Sequence, residues 1–210
     1  MPRTPLQNQR LRAESRQRLL AAARAAFVRL GYDRATVRDV AREAGVSQGL
    51  LYNYFRDKDD LLREVFRQGA RDVAESLAAG EDGGTPEERL ERMIRRGLAI
   101  VRERREFWQL SYMLRHQPRT AEVLGDALPE WTEAVRARLE NLLRELGHPD
   151  APALSRVLFA AIDGAAQHYV LQPDAYPLDA TAECLARHFG RPLPSAAPGP
   201  KARKPRRPDA

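Results

Sequence analysis

The sequence predicts an all-α protein, and three observations carry that prediction. Nearly every periodic segment places its apolar residues at the spacing of a helix face. No segment alternates apolar and polar residues for long enough to form a convincing strand. Glycine or proline stands where most of these helical segments should end. With 210 residues, 43% of them hydrophobic and 30% charged, the chain is long enough for one or two domains with a buried core.

The elements up to residue 84 follow from short apolar stripes. A first helix ends at Gly31, and its stripe consists of Leu20, Ala23, Phe27 and Leu30. A second, short helix ends at Gly45, and its stripe consists of Val37, Val40, Ala41 and Ala44. A longer helix opens at Leu61 and Leu62 and runs towards Ala79, and the glycine-rich segment 80–84 is a predicted loop.

The second half of the chain begins with a strong helix start. Thr85 is a predicted N-cap, Pro86 occupies the first helical position, and Glu88 stands three residues after the cap. An aromatic segment, 107–115, follows this helix, and Pro118 interrupts the chain. The predicted helices of this half are 86–104, 129–146, one that is capped by Asp150 and runs to about 171, and 181–189.

Charge is distributed unevenly along the chain. Residues 1–58 hold twelve Lys or Arg against five Asp or Glu, and residues 191–210 hold six against one. Because the whole chain is only +6, the segment 59–190 is negative. This asymmetry points to a polyanionic partner for the ends. Residues 191–210 are rich in proline and lack aromatics, so we expect disorder there and over much of 1–14.

Residues 36–55 have the anatomy of a helix-turn-helix. Thr36 can cap a first helix because Asp39 stands three residues later. Ala41 is small where two helices must cross closely, Gly45 supplies the positive φ of a tight turn, and Val46 fills the space beneath it. This order predicts two short helices that pack against each other across a sharp turn.

The second helix of this motif is expected to expose one face near its start. Ser47 can cap the helix, while Leu51 and Phe55 point inward. The outer face then consists of Gln48, Gly49, Leu50, Asn53 and Tyr54. A recognition helix needs this arrangement, because its first turns enter the major groove of DNA. The spacing alone also fits an ordinary helical hairpin.

The segment from about 15 to 66 resembles the tetracycline-repressor (TetR/AcrR) family of transcriptional regulators. The resemblance rests on matches in order and spacing: Leu19-Leu20-Ala21-Ala22-Ala23, Phe27, Gly31-Tyr32, Thr36-Val37, Val40-Ala41, Ala44-Gly45-Val46-Ser47, Leu51-Tyr52-Asn53-Tyr54-Phe55, Lys58 and Leu61-Leu62. The remainder matches only as an all-helical region of the expected size. The resemblance implies an N-terminal three-helix DNA-binding domain and a larger C-terminal helical domain for ligand binding and dimerisation.

The resemblance implies two classes of DNA contact within the motif. Base contacts fall to Arg38, Gln48, Leu50 and Asn53, because Arg suits guanine, Gln and Asn suit adenine, and Leu can touch a thymine methyl. Phosphate contacts fall to Thr36, Tyr52, Tyr54 and Lys58, which offer hydroxyls, a helix N-terminus and a positive charge. Core packing for Leu50 and a scaffold role for Tyr54 remain open. Arg10, Arg12, Arg16, Arg18 and the basic tail can add contacts to the DNA backbone, although merely solubilising runs fit equally well.

The resemblance also implies a homodimer in which two C-terminal helices of each subunit form a four-helix bundle. The candidates, 129–146 and 154–171, carry two apolar stripes: Val135, Leu139, Leu142, Leu146 and Leu158, Ile162, Ala165, Tyr169. Small residues, Ala160, Ala161 and Gly164, smooth the second helix. Internal core packing fits the same stripes. A single helix-turn-helix reads too few base pairs to be selective, which favours a dimer on a palindromic operator.

A pocket for a small-molecule effector is a further implication of the resemblance. Its candidate lining is apolar and aromatic with a few polar groups: Met93, Phe107, Trp108, Tyr112, Met113, Trp131, Phe159 and His168. An ester, an acyl compound, a flat aromatic or a lipophilic cation would all fit such a lining. Each of these residues also fits an ordinary core.

No pattern of catalysis, metal binding or membrane insertion stands out. The four histidines are scattered, and the loop 80–84 lacks the Lys-Ser/Thr of a phosphate loop, so we expect no catalytic residue, cofactor or metal. Cys184 and His188 lie one helical turn apart, but two ligands are too few, and a buried structural cysteine is the favoured interpretation. The chain lacks both a secretory signal and a run of roughly 20 apolar residues, so we expect a cytoplasmic protein.

These observations predict a division into four parts. Residues 1–14 form a flexible basic arm, 15–60 the helix-turn-helix domain, 61–190 the effector-binding and dimerisation domain, and 191–210 a disordered tail. The predicted function is that of a ligand-responsive, homodimeric repressor that binds double-stranded operator DNA. Two alternatives are a helical enzyme or small-molecule-binding protein whose basic N-terminus is incidental, and a nucleoid-associated protein that binds DNA without sequence preference.

Overall fold

The computed structural model describes residues 4–78, 83–115 and 117–190. Within these ranges the chain forms ten α-helices and no strand, so the all-α prediction is confirmed. The helices are α1 (Pro5–Leu30), α2 (Val37–Glu43), α3 (Gln48–Tyr52), α4 (Lys58–Ala78), α5 (Pro86–Glu103), α6 (Arg105–Arg115), α7 (Pro118–Leu124), α8 (Ala127–Glu145), α9 (Ala151–Leu171) and α10 (Leu178–Phe189). Among the helices so described, none has both the length and the hydropathy required to cross a membrane.

The first four helices pack around one cluster of buried side chains. α1 lies against α2 and α4, and α2 lies against α3. The buried centre of this unit consists of Leu20, Ala23, Phe27, Tyr32, Val40, Leu51, Phe55, Leu61 and Leu62. The rings of Phe27 and Tyr32 meet edge to face with their centroids 5.3 Å apart, a favoured aromatic geometry. The apolar stripes predicted for these helices therefore share one core.

The first helix begins earlier than the sequence analysis expected. A flexible arm is predicted over 1–14, but α1 begins at Pro5. The Thr4 side chain accepts a hydrogen bond from the backbone N–H of Gln7, and the Gln7 side chain accepts one from the backbone N–H of Thr4. This capping box satisfies N–H groups that would otherwise lack partners at the helix start. The predicted disordered tail, 191–210, lies outside the described residues.

The C-terminal region is built around α5. This helix packs against α4, α6, α8, α9 and α10, and it buries Leu90, Ile94, Leu98 and Val101. The predicted start of α5 is confirmed, because the Thr85 side chain accepts from the Glu88 N–H and the Glu88 carboxylate accepts from the Thr85 N–H. α8 and α9 form a tightly packed hairpin beside it.

Two long helices connect this region with the N-terminal unit. α4 begins in the N-terminal core at Lys58 and packs farther along against α5, α6 and α7. α6, which contains the aromatic segment 107–115, packs against α1 on one side and α9 on the other. A displacement of α4 or α6 in the C-terminal region would therefore also shift the packing around α1, against which the helix-turn-helix lies.

Candidate nucleic-acid interface and ligand cavity

The first helix of the motif, α2, has a tightly hydrogen-bonded start. The Thr36 side chain accepts from the Asp39 N–H at 3.1 Å, and an Asp39 carboxylate oxygen accepts from the Thr36 N–H at 3.0 Å and from the Thr36 hydroxyl at 2.6 Å. The Thr36 hydroxyl and N–H, with Arg42 nearby, hold the pKa of Asp39 below its ordinary value. The hydroxyl assigned to a phosphate is thus already donated to a neighbouring carboxylate.

The turn between α2 and α3 has the predicted geometry. Gly45 has a φ of 66°, which is the left-handed region that favours glycine. The backbone N–H of Val46 donates to the carbonyl oxygen of Ala41 at 3.0 Å, closing the turn. Ala41 is buried and the Val46 side chain packs against the core. α3 is therefore held on α2 by the turn as well as by its own inward face.

The outer face of α3 is open to solvent. The Ser47 side chain caps the helix by accepting from the Leu50 N–H at 3.2 Å. Leu51 and Phe55 are buried beneath α3, whereas four residues assigned to base contacts are exposed: Arg38, Gln48, Leu50 and Asn53. Leu50 is 39% exposed and Tyr52 is 50% exposed, so neither side chain is part of the core.

Tyr54 and Lys58 are more closely integrated into the fold than the other assigned contacts. Tyr54 is half-buried, its ring is tilted against that of Phe55, and the guanidinium of Arg12 lies 5.8 Å from its centroid. The Lys58 ammonium donates to the carbonyl oxygens of Tyr32 at 2.9 Å and Asp33 at 3.2 Å. Tyr54 therefore helps to fix the motif on α1, and Lys58 fixes the start of α4 to the segment between α1 and α2.

The N-terminal half of α1 extends the basic surface beside α3. Arg10, Arg12 and Arg18 are exposed, with Arg10 paired to Glu14 one turn later, and Arg16 forms an ion pair with Glu64 of α4. A shallow groove separates the two helices, and its walls are Gln9, Arg12, Ala13, Arg16, Asn53 and Tyr54. Because residues 5–14 are helical and not the flexible arm predicted from the sequence, Arg10 and Arg12 occupy defined positions relative to the outer face of α3.

The C-terminal region encloses an apolar cavity of about 50 Å³. Its walls come from α4, α5, α6, α8 and α9: Val73, Leu77, Met93, Gly97, Val101, Trp108, Trp131, Val135, Leu139, Phe159, Ile162, Asp163 and Ala166. Asp163 supplies the carboxylate of this lining, and the Nη1 atom of Arg115 donates to both of its oxygens at 2.8 and 2.9 Å. The cavity is therefore small, largely apolar and, with Asp163 paired to Arg115, close to electrically neutral.

The residues predicted for an effector pocket divide into two groups. Met93, Trp108, Trp131 and Phe159 line the cavity. The other four are not part of its lining. Phe107 packs against Gly69, and the Tyr112 hydroxyl donates to the carboxylate of Asp163. Met113 is half-buried on α6, and the ring of the exposed His168 stacks on that of Tyr176. Burial, with the charge of Asp163, raises the pKa of the Tyr112 hydroxyl.

Comparisons with known proteins agree with this geometry. Residues 19–65 match the family described as "Bacterial regulatory proteins, tetR family", and residues 86–194 match "BetI-type transcriptional repressor, C-terminal". The second match covers more than half of the chain. The chain belongs to the TetR family. It is a transcriptional repressor and not an enzyme.

Individual TetR-family relatives match along most of the chain. The HTH-type transcriptional regulator BetI of Escherichia coli (strain K12) is 31% identical over 90% of this chain and 96% of its own length. The HTH-type transcriptional repressor AcnR of Corynebacterium glutamicum is 31% identical over 71% of this chain and 79% of its own. The crystal structure of a transcriptional regulator from Rhodococcus sp. Rha1 superposes with a TM-score of 0.73 at 26% identity, covering 83% of this chain and 94% of that one.

In this TetR-family chain the outward face of α9 differs from the stripe that the sequence suggested. Leu158 and Ala165 are buried within the subunit, as are Leu139 and Leu142 of α8. Val157 and Leu171 are 57% and 69% exposed, and a β-carbon at Gly164 would meet open space. The outward side of the helix, hereafter the α9 face, consists of residues three or four positions apart: Val157, Ala161, Gly164, His168 and Leu171.

Cys184 corrects a smaller expectation. The sequence analysis favours a buried structural cysteine, but Cys184 is exposed on α10. His188 is exposed one turn later, where its ring meets Phe189 edge to face. Across the described ranges no group of three or more His, Cys, Asp or Glu side chains is arranged to hold a metal ion.

Proposed function

We propose that this repressor is a homodimer that binds a palindromic operator through the major groove and releases it when a small molecule binds. The observation that carries the proposal is the exposed outer face of α3. Gln48, Leu50 and Asn53 present their side chains there, with Arg38 on the neighbouring helix, while Leu51 and Phe55 anchor α3 from beneath. Leu50 is 39% exposed on this face, and its side chain is suited to contact a thymine methyl.

The phosphate contacts of the operator fall to residues at the edges of this face. Tyr52 is the best placed of them, because it is 50% exposed at the end of α3. Thr36 presents the N-terminus of α2, Tyr54 contributes from its position against Arg12 of α1, and Lys58 contributes from the start of α4. The exposed arginines of α1 extend the positive surface along the backbone, where the attraction is independent of sequence.

The α9 face supports pairing of two subunits. Its exposed Val157 and Leu171 lie at the two ends, and the small residues Ala161 and Gly164 between them allow the same helix of a second subunit to approach closely. An isologous contact of this kind brings two identical helix-turn-helix units to one DNA molecule. A dimer of this family would act on a bacterial promoter and therefore in the cytoplasm.

The cavity supports a response to a ligand. A cavity of about 50 Å³ is far smaller than the roughly 150 Å³ that holds benzene in an apolar core, so a ligand must push the walls apart. Val73 and Leu77 of α4 and Trp108 of α6 belong to those walls. Both helices also contact α1, so expansion of the cavity moves the DNA-binding units relative to each other.

The proposal is tested by selecting bound sequences from a pool of random duplex DNA. We expect an enriched palindrome whose half-site centres lie about one helical turn, or a small multiple of it, apart. The matched control is the double variant Gln48→Ala/Asn53→Ala, which keeps Leu51 and Phe55 and should retain binding but lose enrichment. Binding by the unaltered chain without any enrichment would contradict the proposal and favour the nucleoid-associated alternative.

A further inference from the structure

The two tryptophans of the chain both line the cavity. Trp108 and Trp131 are the only tryptophans in the sequence, and their ring centroids lie 5.5 Å apart. Trp108 is 7% exposed, and the indole Nε1 atoms of both residues are buried with no hydrogen-bond partner among the described residues. Buried donors are nearly always paired in proteins, because an unpaired one loses the hydrogen bond that it made with water. Two unpaired donors beside one cavity indicate a missing acceptor.

The carboxylate beside the cavity does not offer a site for a cation. Asp163 accepts two hydrogen bonds from Arg115 Nη1 and a third, at 3.2 Å, from the Tyr112 hydroxyl. The Arg115 guanidinium also lies 4.8 Å from the centroid of the Tyr112 ring, which places a positive charge on that side of the wall already. An incoming cation would have to displace Arg115 from a salt bridge that is largely removed from solvent.

We propose that the cavity takes an uncharged apolar or aromatic molecule carrying a carbonyl or ether oxygen, which accepts a hydrogen bond from Trp108 or Trp131. The inference rests on the proposed function in one respect, namely that the molecule in this cavity is the effector. Apart from Asp163, which is already paired with Arg115, the remaining walls are aliphatic, aromatic or glycine, so they contribute packing. The oxygen atom is therefore the part of the ligand that this chain recognises through a hydrogen bond.

The chain provides its own reporter for this contact. Labelling the indole nitrogens with ¹⁵N gives two cross-peaks in a transverse-relaxation-optimised NMR spectrum, and both belong to the cavity. The probes are acetophenone and isopropylbenzene, which share one heavy-atom skeleton but carry a carbonyl oxygen and a methyl group respectively at the same position, together with benzyltrimethylammonium as the cation. We expect acetophenone to shift one indole proton downfield, isopropylbenzene to perturb the peaks without that shift, and the cation to bind more weakly than acetophenone.

Variants lacking one donor test whether the indole makes the contact. Trp108→Phe and Trp131→Phe each remove one N–H and leave the other tryptophan as the reporter. One of the two should weaken acetophenone about tenfold more than it weakens isopropylbenzene, because only the ketone loses a hydrogen bond. The matched control is Phe159→Leu, which alters the packing of the wall and should weaken both probes equally.

Several results would overturn the inference. These are tighter binding of the ammonium than of acetophenone, equal losses for both neutral probes in both tryptophan variants, or no binding of acetophenone at any soluble concentration. Operator binding is measured separately by gel shift on the selected DNA. Failure of the chain to select DNA would refute the proposed function alone, whereas a preference for the cation on a functioning repressor would refute the ligand class alone.

Discussion

The ring of Phe107 occupies a notch in α4 that exists only because residue 69 is glycine. A β-carbon at Gly69 would overlap ring atoms Cδ2 and Cε2 of Phe107. The same ring meets Phe66 of α4 with centroids 6.0 Å apart and Trp108 of α6 edge to face at 5.7 Å. Because Trp108 lines the cavity and α4 leads back to the helix-turn-helix, this notch joins the ligand region to the DNA-binding unit.

Filling the notch should change both stability and DNA binding. We expect Gly69→Ala to cost about 1–3 kcal/mol of unfolding free energy through overpacking, and to weaken operator binding because α6 is forced away from α4. The control for stability is Gly97→Ala, also within a helix, where the added β-carbon meets no atom within 4 Å, so the unfolding free energy should be unchanged or higher. Because Gly97 lines the cavity, this variant controls for stability alone. Chemical denaturation and gel shift measure the two effects. If Gly69→Ala with Phe107→Leu does not recover the loss, the notch is not its cause.

Removing a base-reading side chain should reduce specificity more than overall affinity. Arg38→Ala and Gln48→Ala should each cost about 1–3 kcal/mol on the operator and much less on random DNA. Tyr52→Phe, which removes only a phosphate-directed hydroxyl, should weaken both DNAs equally. Arg187→Ala, exposed on α10, serves as the control and should change neither. Equal losses on both DNAs for Arg38→Ala and Gln48→Ala would show that these residues do not read bases.

Lys58 should affect both folding and the salt dependence of binding. Its ammonium donates to the carbonyl oxygens of Tyr32 and Asp33, so Lys58→Ala should lower the Tm. Since one phosphate per subunit also loses its cation, the slope of log K against log salt should become shallower by about 0.9 per subunit. Titrations at several salt concentrations measure the slope. A lowered Tm with an unchanged slope would restrict Lys58 to its internal role.

A charge on the α9 face should separate the subunits. We expect Val157→Glu to give a folded monomer by light scattering at micromolar concentration and to lose most operator affinity, because each monomer then reads only one half-site. Ala180→Glu places the same charge on the exposed side of α10 and should leave the dimer intact. A dimeric Val157→Glu variant, or a monomeric unaltered chain, would contradict the assignment of this face.

The hydrogen bonds at the start of α2 predict a specific dependence on pH. The pKa of Asp39 is lowered in the folded chain, so its stabilising contribution is present above its unfolded value of about 3.9 and is lost as the pH falls through the folded value. The stability difference between the unaltered chain and Thr36→Val should therefore be constant above about pH 5 and shrink in more acidic solution. Denaturation at a series of pH values measures it.

The control for this dependence is Thr181→Val. The Thr181 hydroxyl donates to the carbonyl oxygen of Pro177 and to no carboxylate in the described structure, so its contribution should not change over this range. A difference for Thr36→Val that stays constant down to pH 2 would mean that its hydroxyl does not stabilise the ionised Asp39.

Features set by neighbouring residues could be predicted from the sequence, and those set across helices could not. Thr36, Gly45 and Ser47 act within a few residues of themselves, so the motif follows directly from their spacing. The same local signal was present at Thr4 and Pro5, where glutamine replaces the glutamate of the Thr85 box, and the basic composition around it favoured disorder instead.

The cavity depends on long-range packing that leaves little trace in the sequence. Val73 and Leu77 look like any core positions of α4, and only the folded chain brings them opposite Trp108 and Trp131. The pairing of Asp163 with Arg115 is equally invisible, since the two residues lie on different helices far apart in the chain. The sequence predicts the helix that contains His168 but not which side of that helix faces the cavity. His168 is therefore assigned to the pocket, whereas its ring stacks on Tyr176 outside it.

The hydrogen bonds around Tyr32 make the helix-turn-helix unit rigid, and this rigidity affects which properties of an operator can vary independently. Its hydroxyl donates to Asp59, and its carbonyl oxygen accepts from Lys58, so the first turn of α4 is fastened to the link between α1 and α2. A displacement of α4 should therefore rotate the helix-turn-helix unit as a rigid body, without changing its internal structure. The base sequence of a half-site and the distance between the two half-sites then become separable properties of an operator. The first depends on α3, and the second depends on the C-terminal region that carries the two helix-turn-helix units.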